Sequence, residues 1–316
     1  MKNNKGITLI ALIITIIVML ILAAVTINMI IGEDGIINQG KNATYSYKEQ
    51  EKIEKLLIEN QFKTNANGEK YTEENIKDII KVEEKTEVST EKLTTYYDKY
   101  YKRDFVVYRY ELTTSEEREK LEANGIRKLM GDVNFNGIVS EEDTKIITTY
   151  LGGTIALNEE QKKLSDIDGD LDIKIIDAEK LNRINSGAEP LYQNWLKYEA
   201  SKKTGISEEK LVEYKDLCTE KYYCLYRYEL TTDEERIILE NAGIKMLKGD
   251  INFDGIIDIN DENIIINYLL NVEEVINENE LIVGDLNNSN KLDDLDQAIM
   301  SDILHGNRPL YDEWKK

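Results

Sequence analysis

The sequence predicts a mainly α protein. It has an N-terminal transmembrane helix, a helical stalk, then two duplicated units, each a short strand–helix lead-in followed by a pair of acidic loop–helix motifs. Three observations predict this. Ile7 to Ile31 holds no charged residue. The stretch Val107 to Thr114 returns as Leu225 to Thr232. Four twelve-residue segments place oxygen-bearing side chains at the same alternating positions. Composition narrows the function. Among 316 residues, 61 are Asp or Glu and 40 are Lys or Arg, a net charge of −21. That balance suits divalent cations and opposes nucleic acid, whose phosphates are held by clustered Lys and Arg. A single histidine, His305, argues against His-based zinc sites and against Ser-His-Asp or Cys-His catalysis.

At the N-terminus, Lys2 and Lys5 precede the apolar stretch, and Glu33 and Asp34 follow it. As a helix it would run about 37 Å, against about 30 Å for a bilayer core. A cleaved secretory leader has an apolar region of only about 7–15 residues. The flanking charges predict an inside N-terminus and an exported remainder. Lys5-Gly6-Ile7-Thr8-Leu9-Ile10 resembles the prepilin leader of type IV pilins and pseudopilins. The resemblance implies a leader over 1–6, cleavage between Gly6 and Ile7 by a prepilin peptidase, and a pilin-like helix over 7–31 that packs with other subunits. Ala11 stands where that family carries a docking glutamate, which weighs against polymerisation. Residues 32–85 read as a helical stalk or small headpiece. Ile53, Leu56, Leu57 and Ile58 recur near helical spacing, Asn65-Ala66-Asn67-Gly68 breaks the pattern, and Ile76, Ile79 and Ile80 mark a short helix from Glu73 to Val82.

The duplication runs at an offset of 118 residues early and 119 late. Glu122-Ala123-Asn124-Gly125-Ile126 returns as Glu240-Asn241-Ala242-Gly243-Ile244, and Pro190-Leu191-Tyr192 with Trp195 returns as Pro309-Leu310-Tyr311 with Trp314. The lead-ins are 86–131 and 204–249. Each opens on a strand, Phe105 to Tyr110 and Tyr222 to Tyr228. Capping boxes follow at Thr114 with Glu117 and Thr232 with Glu235, and Gly125 and Gly243 end the short helices. These pieces read as structural. Cys218 and Cys224 occur only in the second copy, and two readings stay open: a disulfide closing a short loop outside the cell, or two unrelated thiols.

The chemistry lies in the segments behind, 132–200 and 250–316. A calcium ion takes six to eight oxygens, and a loop with ligands at positions 1, 3, 5, 7, 9 and 12 and a sharp turn at 6 supplies them. Loop 1 offers Asp132, Asn134, Asn136, the Ile138 carbonyl, Ser140 and Asp143. Loop 2 offers Asp166, Asp168, Asp170, the Asp172 carbonyl and Asp177; its position 9 is Lys174, which cannot ligate. Loop 3 offers Asp250, Asn252, Asp254, the Ile256 carbonyl, Asp258 and Asp261. Loop 4 offers Asp285, Asn287, Ser289, the Lys291 carbonyl, Asp293 and Asp296. Up to four calcium ions are expected. Position 6 is Gly137, Leu171, Gly255 and Asn290. Carboxylate number and turn strain together predict that loop 3 binds tightest, loop 1 is weakened by charge and loop 2 by strain. Position 8 is aliphatic in every loop (Val139, Ile173, Ile257, Leu292), as expected of a residue pinning its loop to a paired one.

Aspartate at position 12 and the missing entering helices separate these loops from ordinary EF-hands. Loop–helix pairs duplicated within about 60 residues resemble type I dockerin modules. The resemblance implies two calcium motifs packed antiparallel around a linking helix (Leu157 to Leu164, Ile276 to Ile282) and docking onto a cohesin-type domain. It also implies that positions 10 and 11 choose the partner: Glu141-Glu142, Ile175-Ile176, Ile259-Asn260 and Asp294-Leu295. These pairs differ within and between modules, which argues against a symmetric dual binding mode. The expectation is therefore a non-catalytic cell-surface protein that assembles through two dockerin-like modules, in polysaccharide degradation or adhesion. It would be membrane-anchored with an extracellular C-terminal region, or pilus-associated after cleavage. The alternative is a minor pilin or pseudopilin whose calcium modules only stabilise its exposed domain. An enzyme with dockerin appendages is the weakest reading, because lead-ins of about 45 residues are too short for a catalytic domain.

Overall fold

The computed structural model describes residues 50–60, 63–272 and 276–315, with Met19 and Lys48. The predicted leader, Gly6, Ile7, Ala11 and, Met19 apart, the predicted span lie outside these residues. Two compact units are distinguished, one of residues up to 62 with 71–77, the other of residues 63–70 with 78–316. In the first, residues 50–59 are helical. The predicted helix at Glu73 runs on to Thr86.

The second unit holds the duplication, and its lead-ins are sheets. In the first copy β1 (Leu93–Asp98) pairs antiparallel with β2 (Arg103–Tyr108), and β3 (Arg127–Lys128) lies parallel to β2. In the second, β4 (Leu211–Asp216), β5 (Lys221–Tyr226) and β6 (Lys245–Met246) repeat that order, β5 central. Between sheet strands run α1 (Ser115–Ala123) and α6 (Asp233–Asn241), each opened by its predicted capping box. Gly125 and Gly243 follow with φ of +84° and +83°. Behind each sheet come three helices: α2 (Glu141–Leu151), α3 (Glu159–Ser165) and α4 (Ile175–Ser186), then α7 (Ile259–Leu269), α8 (Glu278–Gly284) and α9 (Asp294–Leu304). A further helix, α5 (Trp195–Thr204), links the copies. α2 packs on α4 and α7 on α9, with α3 and α8 as the linking helices that the sequence places there.

This corrects the predicted fold class. The predicted transmembrane helix is not supported, and the helices share the fold with sheets. It carries two three-stranded sheets, and among the described residues no helix is long and apolar enough to cross a membrane. Glu73–Thr86, at 14 residues, spans about 21 Å. The membrane, prepilin-peptidase and pilin-subunit partners therefore have no support in the described residues. β2 and β5 overlap the predicted strands; their partners escaped because β1 and β4 mix Thr, Glu and Lys among their apolar residues and β3 and β6 are each two residues long, below what periodicity resolves.

Sheet and helices share a core. Trp195 is fully buried and stacks on Phe105 at 3.8 Å between ring centres; Trp314 stacks on Tyr223 at 3.6 Å. The repeated Pro-Leu-Tyr segment is drawn back to the sheet by a buried strand-end aspartate. Leu191 N–H donates to Asp98 Oδ2 (2.8 Å) and Leu310 N–H to Asp216 Oδ2 (2.9 Å). Tyr192 and Tyr311 hydroxyls then bond the carbonyls of Lys128 and Met246. Each lead-in and its loop–helix pair thus close into one folded body.

Candidate calcium sites

The four loops share one hydrogen-bond scheme, organised by the aspartates at positions 12 and 1. Position 12 is the third residue of the exiting helix, and its side chain is buried in every loop: Asp143, Asp177, Asp261 and Asp296 are all 0% exposed. Asp143 Oδ1 accepts from the amides of Val133 (2.9 Å) and Asn134 (3.2 Å), and Oδ2 from Ser140 (2.9 Å). Asp177, Asp261 and Asp296 repeat this set with the amides of positions 2, 3 and 9. The short Asp side chain suits this inner role. Position 1 clamps the turn from the other side, as Oδ2 of Asp132, Asp166, Asp250 and Asp285 accepts from the position-6 amide at 3.0, 3.1, 3.0 and 2.7 Å.

That turn forces the backbone left-handed at position 6 in every loop: Gly137 (+82°), Leu171 (+69°), Gly255 (+89°) and Asn290 (+62°). Position 4 is left-handed as well (Phe135, Gly169, Phe253, Asn288). Leu171 bears the expected cost of a β-carbon at positive φ, roughly 1–2 kcal/mol, which Phe135 and Phe253 bear at position 4 of loops 1 and 3.

The electrostatics differ between loops. In loops 1 and 3, Oδ1 of Asp132 and of Asp250 is buried with no hydrogen-bond partner. Burial, with Glu111 and Asp143 nearby, pushes the Asp132 carboxyl up to about 7. Burial, then Asp261, does the same to Asp250, also to about 7, and burial lifts Asp261 to about 6. A buried, unsatisfied carboxylate oxygen is costly to leave so and fits a cation, so these residues suit calcium. In loop 2 the carboxylate oxygens of Asp166, Asp168 and Asp177 lie within 4.8 Å of one another. Lys174 competes there, its ammonium 2.5 Å from Asp170 Oδ2 and 3.4 Å from Asp172, and holds the Asp170 carboxyl below the usual range. In loop 4, Lys291 pairs with Asp293 at 3.1 Å and lowers it likewise. Asp254, Asp258, Asn252, Asn134, Asn136, Asn287 and Ser289 all sit on their loops as the sequence places them. The carbonyl-bearing residues Ile138, Asp172, Ile256 and Lys291 follow position 6 in each. A bound calcium would supply the positive charge that lets these carboxylates converge.

Two features escaped the sequence reading. The Tyr-Arg-Tyr-Glu motif, read as a bland lead-in, braces the calcium loops. Arg109 Nη2 donates to the Phe135 carbonyl at 2.7 Å and pairs with Glu111 at 2.6 Å. Arg227 does the same for Phe253 and Glu229. Its exact return in both copies was the available signal. The other concerns position 8: Val139 N–H bonds the Ala66 carbonyl at 2.9 Å, while its side chain shares a core cluster with Ile173 of loop 2. Ala66 lies far upstream in sequence, where no spacing rule reaches.

The partner-choosing candidates stand ready. Glu141, Glu142, Ile175, Ile176, Ile259, Asn260, Asp294 and Leu295 are all exposed at the starts of α2, α4, α7 and α9. Both cysteines are free. Cys218 occupies the β4–β5 turn, while Cys224 lies three residues up β5 from Lys221, about 10 Å along the strand and beyond disulfide reach. Of the two readings left open, two unrelated thiols match this placement.

Residues 130–184 match the family model of the dockerin type I domain. The match spans loop 1, α2, α3, loop 2 and most of α4. Dockerin domains bind calcium and dock cohesin partners, so this segment is a calcium-binding protein–protein assembly module. No match was found among curated proteins.

Proposed function

We propose that the chain is a non-catalytic assembly protein in which both loop–helix pairs are dockerin-like modules, each loaded with calcium and each docking a cohesin-type domain. One observation carries this furthest. The buried, unpartnered Oδ1 of Asp132 inside the matched segment recurs at Asp250 in the second copy, within the same bracket of amide bonds. The second module earns its reading by that geometry alone. The exposed apolar residues Ile175, Ile176, Ile259 and Leu295 support a docking role, being 59%, 40%, 57% and 57% exposed. The four chosen pairs differ in chemistry, so the modules would prefer different partners. The lead-ins, spent on sheets that brace the loops, support a non-catalytic reading. Calcium loading fits an exported protein, since extracellular modules bind at about 10⁻⁴–10⁻³ M; polysaccharide breakdown or adhesion at the cell surface is the setting we propose.

The test is retention of cohesin domains by the immobilised full chain, in calcium and in chelator. Retention in calcium that is lost in chelator is the expected result. Absence of retention in saturating calcium overturns the proposal.

A further inference from the structure

The two copies differ at one place where the difference has the shape of a ligand. In the first copy a tight turn, Asn65-Ala66-Asn67-Gly68, is wedged between the outer edge of β1 and loop 1. The turn holds itself: Asn65 Oδ1 accepts from the amides of Asn67 (3.0 Å) and Glu69 (2.9 Å), and Gly68 takes φ of +79°. Ala66, 0% exposed, bridges the two walls, donating to the Thr95 carbonyl at 2.8 Å and accepting from Val139 N–H at 2.9 Å. Asn67 reads the strand edge twice, with Nδ2 to the Tyr97 carbonyl (3.0 Å) and Oδ1 from the Tyr97 amide (2.6 Å).

The duplication offset places Glu213 opposite Thr95, Lys215 opposite Tyr97, and Ile256-Ile257 opposite Ile138-Val139. In the second copy those same residues, with Leu217 and Ile303, line an open cleft of roughly 280 Å³. Among the described residues nothing takes the part of Ala66 or Asn67 there. The Glu213 carbonyl, the Lys215 amide and carbonyl and the Ile257 amide find no hydrogen-bond partner among the described residues. These are outward-facing edge groups, because Glu213 and Lys215 alternate with the residues that bond β5. Burial records the same gap at matched positions: Ile138 is half-buried and Val139 buried, whereas Ile256 is exposed and Ile257 half-buried.

We propose that this cleft is a second binding site, for a tight turn of the form Asn-small-Asn-Gly donated by a partner polypeptide. The first copy shows what fits: a residue no larger than Ala to pass between strand and loop, an Asn to pair with the strand edge, and a Gly for the left-handed exit. A partner is favoured over a second chain because in every chain the Asn65–Gly68 turn is already bound to that chain's own β1.

A backbone-cyclised peptide of residues Lys63–Lys70, fluorescently labelled, is titrated with the calcium-loaded full chain. Saturable binding is expected, weakened at least tenfold by Asn67→Leu in the peptide. On the protein side, Leu217→Arg and Lys215→Pro should each weaken it at least tenfold with circular dichroism unchanged; an edge strand tolerates Pro at an outward-facing amide. Absence of saturable binding, or binding indifferent to both protein variants, overturns the proposal. So does self-association of the full chain abolished by Leu217→Arg, which would assign the cleft to a second copy.

Discussion

The two copies carry the same elements and the same loop chemistry, yet the first is covered and the second is open. Five of six residues in β1 are buried, against two of six in β4. Trp195 is fully buried whereas Trp314 is half-buried, although both stack on their own sheets. The cover comes from outside the repeat. On one side lies the Asn65–Gly68 turn. On the other lies the second copy itself, whose Glu213 accepts from the Tyr101 hydroxyl (2.7 Å) and whose Tyr222 stacks on Tyr100 at 5.0 Å. Glu213 also caps α5, accepting from the Leu196 amide at 2.8 Å. Local chemistry is thus inherited with the repeat, while burial depends on neighbours that only one copy has.

The largest expected effect follows from that difference. Trp195→Ala opens a filled core and should cost about 3–5 kcal/mol, whereas half-exposed Trp314→Ala should cost about half as much. Denaturant unfolding of the full chain in saturating calcium measures both, and equal costs would break the comparison. Next in size are the calcium ligands. Asp250→Ala removes the buried carboxylate of loop 3, and its loss should exceed the roughly 10–100-fold associated with outer-shell partners. Calorimetry should show one site fewer; an unchanged titration would remove loop 3 from the calcium set and defeat its predicted rank as the tightest.

Most of the site was legible because its rules are local. Asp at positions 1 and 12 is set by a turn of twelve residues, and in all four loops both accept loop amides. The capping boxes at Thr114 and Thr232 and the linking helices were legible for the same reason. What escaped depends on long-range pairing. β1 finds β2 through an alternation too polar to announce itself, and β3 is too short to have a period. The Ala66–Val139 bond joins residues with no sequence relation. The N-terminal reading rested on apolar length, flanking charges and a six-residue leader resemblance, and all but Met19 of that segment lies outside the described residues.

A third prediction uses pH to separate the loops. Without calcium, a carboxyl raised from its ordinary range to about 7, as at Asp132 and Asp250, makes the folded state bind a proton that the unfolded state has released. That contribution is complete below about pH 4 and is lost as pH rises through about 7. Calcium needs the same carboxyls ionised, so affinity at loops 1 and 3 should fall up to about tenfold per pH unit below 7. Loop 2, whose Asp170 is held low by Lys174, should lack that steep contribution from this ligand. Calorimetry of Asp132→Ala and Asp250→Ala, alone and together, at pH 5.5 and 7.5 resolves the slopes; a double variant as pH-dependent as the parent chain contradicts the assignment.

The smallest effect isolates turn strain from charge, which loop 2 confounds. Leu171 sits at φ +69° with its side chain 92% exposed, so no packing compensates the left-handed backbone. Asn290 occupies the same position in loop 4 at φ +62°, and Asn visits that region at little cost. Leu171→Gly should therefore relieve about 1 kcal/mol, tightening calcium at loop 2 about fivefold, whereas Asn290→Gly should change loop 4 by less than about twofold. Neither substitution alters charge, so the ratio of the two responses reports the backbone alone. If calorimetry gives the two glycine variants the same response, strain at position 6 does not set affinity, and any weakness of loop 2 must rest on Lys174 occupying Asp170.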